Sequence, residues 1–392
     1  MPRRSRRRPC RGWRDEVTTD TRTGPQDLRQ RVVVVGAGVT GLLTAVRCVQ
    51  AGHRVTVLDR GAIPHPASSS FDQHRTIRAL DPSDPAGTRR AALGHDRWLE
   101  LESLLCGSRP GAGFYRRVGV VTGWPGDEAE AVASVAAEAG VSVKLVDPDE
   151  FPHVRFPTGS RGVLELDAGV LLADRVLWTA ARWLAAHPSA RLRPWCEVSS
   201  VDTDSGRVVL ADGTVEQGDL VLVAGGPWSR ALVDVPTVLH RQTMVYLRPP
   251  DDLVRWWDNA PSAGRIGADG RAWMLPSGGG TLLKVSTDAV CREVSTVDDD
   301  DGDEVLWAER IMAADIIADV DRYTVAAVKR CHYAVDARTG GANLVRVGPA
   351  VWARAASGGD GFRTAPFVAD RIVDALRSPR SPLTPSIGRN TR

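Results

Sequence analysis

Gly36, Gly38 and Gly41 stand in G-x-G-x-x-G spacing within RVVVVGAGVTG (residues 31–41), and Asp59 follows eighteen residues after the third glycine. This set of residue types suits a bound dinucleotide. The first glycine permits a tight turn, the second lets the backbone approach a pyrophosphate, and the third lets a helix lie close to a strand. A helix N-terminus at this point favours phosphate charge, and Asp59 is placed to accept hydrogen bonds from a ribose. With 38 glycines in 392 residues, a bare triplet arises by chance in roughly a third of such chains, so its surroundings carry the reading. Four consecutive valines predict a buried strand of parallel type. LLTAVRCVQAG predicts a helix stopped by Gly52, and HRVTVLDR a second strand closing on Asp59. The unit is a complete βαβ.

Only three of the 50 basic residues are lysine, namely Lys144, Lys284 and Lys329. Arginine is the default cation, which singles the lysines out. The net charge of +2 hides an asymmetry: residues 1–29 carry nine Arg against four acids, residues 377–392 carry four Arg and no acid, and the body between is formally −7. A nucleic-acid reader concentrates positive charge on its folded surface, so that class is disfavoured. Apolar runs fall short of a membrane span. The Arg-rich start has no hydrophobic region after it, so it reads as a disordered extension rather than a signal. The six cysteines (10, 48, 106, 196, 291 and 331) form neither CxxC pairs nor a disulfide framework. A reducing cytoplasm fits that pattern, and no metal site is expected. The chain has no HExxH, P-loop or GxSxG motif, which leaves zinc hydrolysis, nucleotide hydrolysis and serine-hydrolase chemistry without a foothold.

The elements that must position these residues follow in order. GAIPHPASSSFDQHRTIRALDPSD is a long irregular stretch of a kind that is usually functional. Helices are predicted over 88–105, 128–140, 172–187 and 305–320, and in FVADRIVDALR. LVLVA, running into Gly225–Gly226, suggests a second backbone approach to the same ligand. Strand-like pieces alternate between 238 and 296, as in an antiparallel sheet of a second domain. The acidic stretch 298–304 reads as a solvated turn. The length allows two domains.

Taken together, GAGVTG with Asp59, SSSFDQHRTIR, LVLVAGGPWS, WMLPSGGGTLLK, RCHY and SGGDGFR resemble, in order, the motifs of the flavin amine oxidases of the D-amino-acid oxidase superfamily. The nearest branch is that of monomeric sarcosine oxidase, N-methyltryptophan oxidase and pipecolate-type oxidases, and the resemblance runs from about residue 31 to 376. It implies an α/β fold (α+β overall): a glutathione-reductase-type Rossmann FAD domain with a mixed, largely antiparallel catalytic domain. The corresponding division is 30–82, 150–235 and 325–376 for FAD, and 83–149 and 236–324 for substrate, with disordered tails at 1–29 and 377–392.

The resemblance also implies roles. FAD is expected against Gly36, Ala37, Gly38, Val39, Thr40, Gly41, Asp59 and Arg60, then Ser69, Ser70 and Arg75. Further on it meets Val198, Ala224, Gly225 and Trp228, and finally Gly359, Asp360, Gly361, Phe362 and Arg363. Cys331 matches the cysteine that forms a thioether to the flavin, which needs a thiolate; an inert buried cysteine is the plainer alternative. Lys284 matches the lysine that activates oxygen, since a fixed cation in a water-poor site stabilises charge developing on O2. Arg78 matches the arginine that grips the substrate carboxylate, and Arg363 stands where the family commonly has lysine, so that the two converge on one carboxylate; Tyr333 matches a tyrosine lining the pocket, with core packing the open alternative. Phe71, His74, Trp273 and Asp288 depart from the family pattern near that pocket, where histidine, threonine, tyrosine and histidine are usual. Such changes beside a retained Arg78, Lys284 and Cys331 suggest the same chemistry on a substrate other than sarcosine, with Asp288 pairing with its ammonium or removing a proton.

The expected activity is FAD-dependent oxidation of a secondary or cyclic amino acid to an imine, with O2 reduced to hydrogen peroxide, by a monomer without nucleic-acid or membrane partners. Three alternatives stay open. They are a tailoring oxidase that forms an unsaturated cyclic imino acid in secondary metabolism, a dehydrogenase with lost oxygen reactivity, and a flavin-binding protein with little turnover.

Overall fold

The computed structural model describes residues 29–107, 111–298 and 304–377. Both expected disordered tails, apart from Arg29 and Arg377, and most of the acidic stretch lie outside them. The four valines form strand β1 (Arg31–Val35) at the middle of a six-stranded sheet. It pairs in parallel with β2 (Arg54–Leu58) on one side and with β13 (Leu220–Val223) on the other. β9 (Ala190–Arg193) extends the sheet beyond β2, and β21 (Val351–Ala353) followed by β20 (Val345–Arg346) extends it beyond β13. Val32 to Val35 are at most 5% exposed, which is why the run is apolar on both faces. Helices α1 (Val39–Gln50), α4 (Ala173–Ala185) and α7 (Gly361–Arg377) contribute to a core with β1 and β2, joined by Trp98 and Leu101 of α2 (Pro85–Cys106).

A nine-stranded mixed sheet makes the second layer. Its order is β18 (Arg292–Glu293), β14 (Thr237–Arg248), β17 (Leu283–Thr287), β16 (Ala272–Leu275), β15 (Ser262–Ile266), β5 (Val120–Pro125), β7 (Ser160–Glu165) and β6 (Val143–Val146). The thirteen-residue β19 (Thr324–Asp336) pairs along β14. α3 (Gly126–Glu138) packs Ala129, Val132 and Ala136 with Val163 of β7. A separate apolar core gathers Val245, Trp257, Met274, Val285 and Ile311. Two small sheets complete the fold, β10 (Val198–Asp202) with β11 (Arg207–Leu210) and β12 (Val215–Gln217), and β3 (Arg75–Ile77) with β8 (Gly169–Leu171) and β4 (Tyr115–Arg116).

One helix is shorter than its pattern suggests. α6 spans Glu304–Met312 instead of reaching 320. The backbone turns at Asp315, with φ of +48°, and Ile316 and Ile317 become 3% exposed, Ile317 bridging to Val154. Burying two β-branched residues in the core outweighs another turn of helix.

Candidate active site

The glycine motif is held together by contacts that a side chain would break. Gly36 has φ of +102°, and a Cβ there would lie 2.5 Å from the Ala224 carbonyl oxygen; a Cβ on Gly41 would lie 1.9 Å from that of Gly36. Gly41 thus sets how closely α1 packs on the turn, and it lies beneath the cavity wall together with Ala37. Asp59 accepts from the Ala37 N–H at 2.8 Å and the Gly61 N–H at 2.9 Å, fixing the end of β2 to the turn. Ser70 Oγ accepts the Val39 N–H at 3.0 Å.

From this turn a cavity of about 930 Å³ runs between the two large sheets. Gly36, Gly38, Val39, Thr40, Asp59, Arg60, Ser69, Ser70, Val198, Ala224, Gly225 and Trp228 are among the residues that line it. The Arg60 guanidinium lies 3.9 Å from the centre of the Trp228 ring. Gly359, Asp360, Gly361, Phe362, Arg363 and Cys331 line the cavity as well, and so do Arg75, Arg78, Trp273, Lys284, Asp288 and Tyr333. Of the expected site residues, Ala37 and Gly41 alone stay off this wall. Of the family departures, Trp273 and Asp288 line the cavity and two others do not: Phe71 packs against the helical core, and His74 is fully buried with Nε2 3.0 Å from the Pro276 carbonyl.

β17 carries Lys284 in register with Tyr246 of β14 and Leu275 of β16. The lysine is 1% exposed and donates to Asp72 Oδ2 at 3.0 Å and the His74 carbonyl at 2.8 Å. Burial, with the nearby Arg75 charge, pushes its ammonium well below the usual lysine range. Asp72 also accepts from the Tyr246 hydroxyl at 2.5 Å, from the Gln73 N–H at 2.7 Å and from Arg75. Arg75 in turn donates to the Ser69 carbonyl at 2.8 Å. Cys331, opposite Gln242 on β14, has Sγ 3.8 Å from that same carbonyl oxygen.

Arg78 leaves the end of β3 and donates to the Leu80 carbonyl at 2.7 Å, while Arg363, in the first turn of α7, pairs with Asp360 at 2.6 Å. Burial and the Arg363 charge hold Arg78 below the usual guanidinium range, so the two cations feel each other. Burial pushes the Asp288 carboxyl up against the opposing pull of Arg271 and the Trp273 indole. The Tyr333 hydroxyl lies 3.3 Å from Cys291 Sγ, and its ring stacks on His240 at 5.6 Å.

Several supporting residues carry no sequence signal. Buried Glu165 accepts from the Ala79 N–H at 2.7 Å, the Leu80 N–H at 3.1 Å and His95 at 3.1 Å, fixing the backbone that follows Arg78. Buried Arg354 ties the Asn343 carbonyl, at 2.5 Å, to Thr364 of α7, at 2.6 Å, beneath the glycine loop. Asp72 sits inside a quoted motif, yet one aspartate in a polar loop looks like any turn residue.

The glycine turn, the Ser70 hydroxyl bonded to it and the cavity they open into fit a bound dinucleotide. Residues 31–375 match the family described as DAO, FAD dependent oxidoreductase. The chain is 24% identical over 304 residues to the monomeric sarcosine oxidase of Bacillus sp. (strain B-0618), spanning 72% of this chain and 76% of that protein. It is 27% identical over 248 residues to the glycine oxidase of Pseudomonas putida, spanning 58% and 65%. The peroxisomal sarcosine oxidase of Mus musculus is 25% identical over 236 residues, and the chain spans only 56% of that relative. Among solved structures, fructosyl amine: oxygen oxidoreductase (amadoriase I) of Aspergillus fumigatus superposes with a TM-score of 0.70 at 17% identity, covering 91% of this chain and 88% of that one, a likeness of fold. A chain matched along nearly its whole described length, with its glycines, acid and cavity in place, belongs to the DAO family of FAD-dependent oxidoreductases.

Proposed function

We propose that the protein oxidises a secondary or cyclic amino acid to an imine and reduces O2 to hydrogen peroxide, with FAD attached through Cys331. The observation that carries this reading is one cavity that takes in Arg78, Arg363, Asp288 and Lys284 together with the glycine turn. FAD, when bound, supplies the hydride acceptor and the electrons for oxygen. The chain supplies the rest. Arg78 and Arg363 bind the substrate carboxylate through charge-assisted hydrogen bonds and so orient its α carbon. The Asp288 carboxylate takes the proton of the substrate ammonium, leaving the nitrogen lone pair free. Lys284 presents a fixed cation where negative charge develops on oxygen. The sarcosine and glycine oxidases among its relatives act, by their names, on small amino acids, which supports the substrate class.

The two large sheets suggest the division of labour: the six-stranded sheet bears the nucleotide turn and the nine-stranded sheet bears Lys284, Trp273 and Cys331. β7 and β19 lie in segments assigned to FAD from sequence, yet both pair within the larger sheet, so the two parts interleave along the chain. The five cysteines among the described residues form no disulfide with one another, which supports a reducing compartment. No described helix is long and apolar enough to cross a membrane. A monomer is proposed from the monomeric relatives.

The deciding experiment is an aerobic peroxide assay on purified protein with secondary, cyclic and N-methyl amino acids. Peroxide formed with an imine product is the expected result. A panel that neither yields peroxide nor bleaches the flavin anaerobically would leave a flavin-binding protein instead.

A further inference from the structure

The loop Ser68–His74 brings a carboxylate into full burial beside the lysine of the oxygen site. Asp72 Oδ2 receives Lys284 and Arg75, and Oδ1 receives the Tyr246 hydroxyl and the Gln73 N–H. Four donors on two oxygens match an ionised, acceptor-only carboxylate. The Asp72 and Lys284 side chains are 1% and 2% exposed, so water contributes little to either charge. An ammonium has three N–H donors. Two of those on Lys284 go to Asp72 and the His74 carbonyl, and the third remains for a group in the cavity that Lys284 lines.

The other polar groups around the ammonium cannot do this work. Arg75 on β3 and Lys329 on β19 are cations that oppose its charge. The imidazole of His74 is turned toward the Pro276 carbonyl. Tyr246 on β14 donates to Asp72, Cys331 on β19 favours the ammonium only as a thiolate, a charge that a thioether to the flavin removes, and the Trp273 ring on β16 is 5.8 Å away. A buried lysine among cations loses its proton unless a carboxylate holds it.

We propose that Asp72 is a positioning residue that keeps Lys284 protonated and commits two of its three donors, leaving the third for the reacting oxygen. The proposal rests on the oxygen-site reading of Lys284, and its test separates the two.

Because the chain has only three lysines, lysine labelled with carbon-13 at Cε gives three resonances in the holoenzyme, and Lys284→Met identifies the one that matters. In the parent that resonance stays at its protonated position at neutral pH. In Asp72→Asn, which keeps the shape of the side chain, its titration moves down. Glu at position 72 restores it in part. In parallel, anaerobically reduced protein is mixed with O2. Reoxidation of Asp72→Asn slows by about 10²-fold at neutral pH and recovers as the pH is lowered, because acid returns the proton that Asp72 otherwise secures. A Lys284 resonance that titrates identically in parent and Asp72→Asn overturns the proposal. Reoxidation of Lys284→Met at the parental rate overturns the oxygen-site reading instead, whatever the resonance does.

Discussion

Arg78 and Arg363 come from opposite ends of the chain, the first from the end of β3 and the second from the first turn of α7, and they line one cavity, where burial and the Arg363 charge hold the Arg78 guanidinium below its usual range. Two cations held together in a partly dry site create a place that an anion completes. Asp360 compensates one of them from the same turn, at 2.6 Å.

That relationship sets the first prediction. Replacing Arg78 by Met removes a charge-assisted contact of about 1.5–3 kcal/mol, so kcat/KM for an amino-acid substrate drops by about 10- to 150-fold. Steady-state kinetics with the acid and its methyl ester form the check. The loss belongs to the acid, and an equal loss with the ester would remove the carboxylate from the account.

Asp288 gives a pH dependence with a definite sign. Its carboxyl is pushed up by burial, and it acts as a base only when ionised. Activity therefore falls as pH drops through that raised value, placing the acid limb of kcat/KM above the ordinary carboxylate range. Asp288→Asn lowers kcat/KM by about 10²-fold and abolishes the limb. A limb unchanged in the Asn variant assigns it to another group.

At the glycine turn, Gly41→Ala puts a methyl within 1.9 Å of the Gly36 carbonyl oxygen. The obstacle is backbone, so α1 must shift, at about 1–3 kcal/mol. Flavin content after purification, read from the visible absorbance relative to protein, should fall severalfold. Full flavin loading would mean that this turn does not hold the pyrophosphate.

Cys331→Ser tests attachment without kinetics. Denatured parental protein should keep its yellow colour in the pellet, and the serine variant should release it to the supernatant. Colour in the parental supernatant ends the covalent assignment.

How much of this was legible beforehand follows from where each signal resides. The βαβ unit was readable because Gly41 packs on Gly36, β1 pairs with β2 and Asp59 ties to Ala37, all within thirty residues, and their spacing records that. Lys284 and Cys331 became candidates only through ordered motifs, because nothing local places residue 331 beside Ser69. Asp72 was invisible as a partner: its ties to Tyr246 and Lys284 cross 174 and 212 residues, and no pattern in the loop announces them. The helix expected to reach 320 failed for a related reason, since Ile316 and Ile317 answer to a distant core rather than to helical periodicity. Phe71 and His74 were expected near the pocket from motif position alone; they flank the lining residues Ser70 and Arg75, and their own side chains turn into protein.

His74 yields a prediction about stability. It is fully buried, and burial together with the Lys284 charge holds its imidazole well below the ordinary value of 6.5. The folded protein therefore keeps His74 neutral in mild acid, whereas the unfolded chain takes up a proton near pH 6.5. More protons on the unfolded state mean that stability falls as pH falls, by ~1.4 kcal/mol per pH unit below ~pH 6.5, and is unaffected above it. His53, also lowered by burial, adds a slope of the same sign, so the useful quantity is a difference. Urea unfolding of the parent and of His74→Gln, measured from neutral pH down to ~pH 5, should show the gap between them narrowing as the pH drops, because glutamine cannot titrate. A gap that stays constant over that range would place a proton on His74 in the folded protein, and with it a second positive charge beside Lys284.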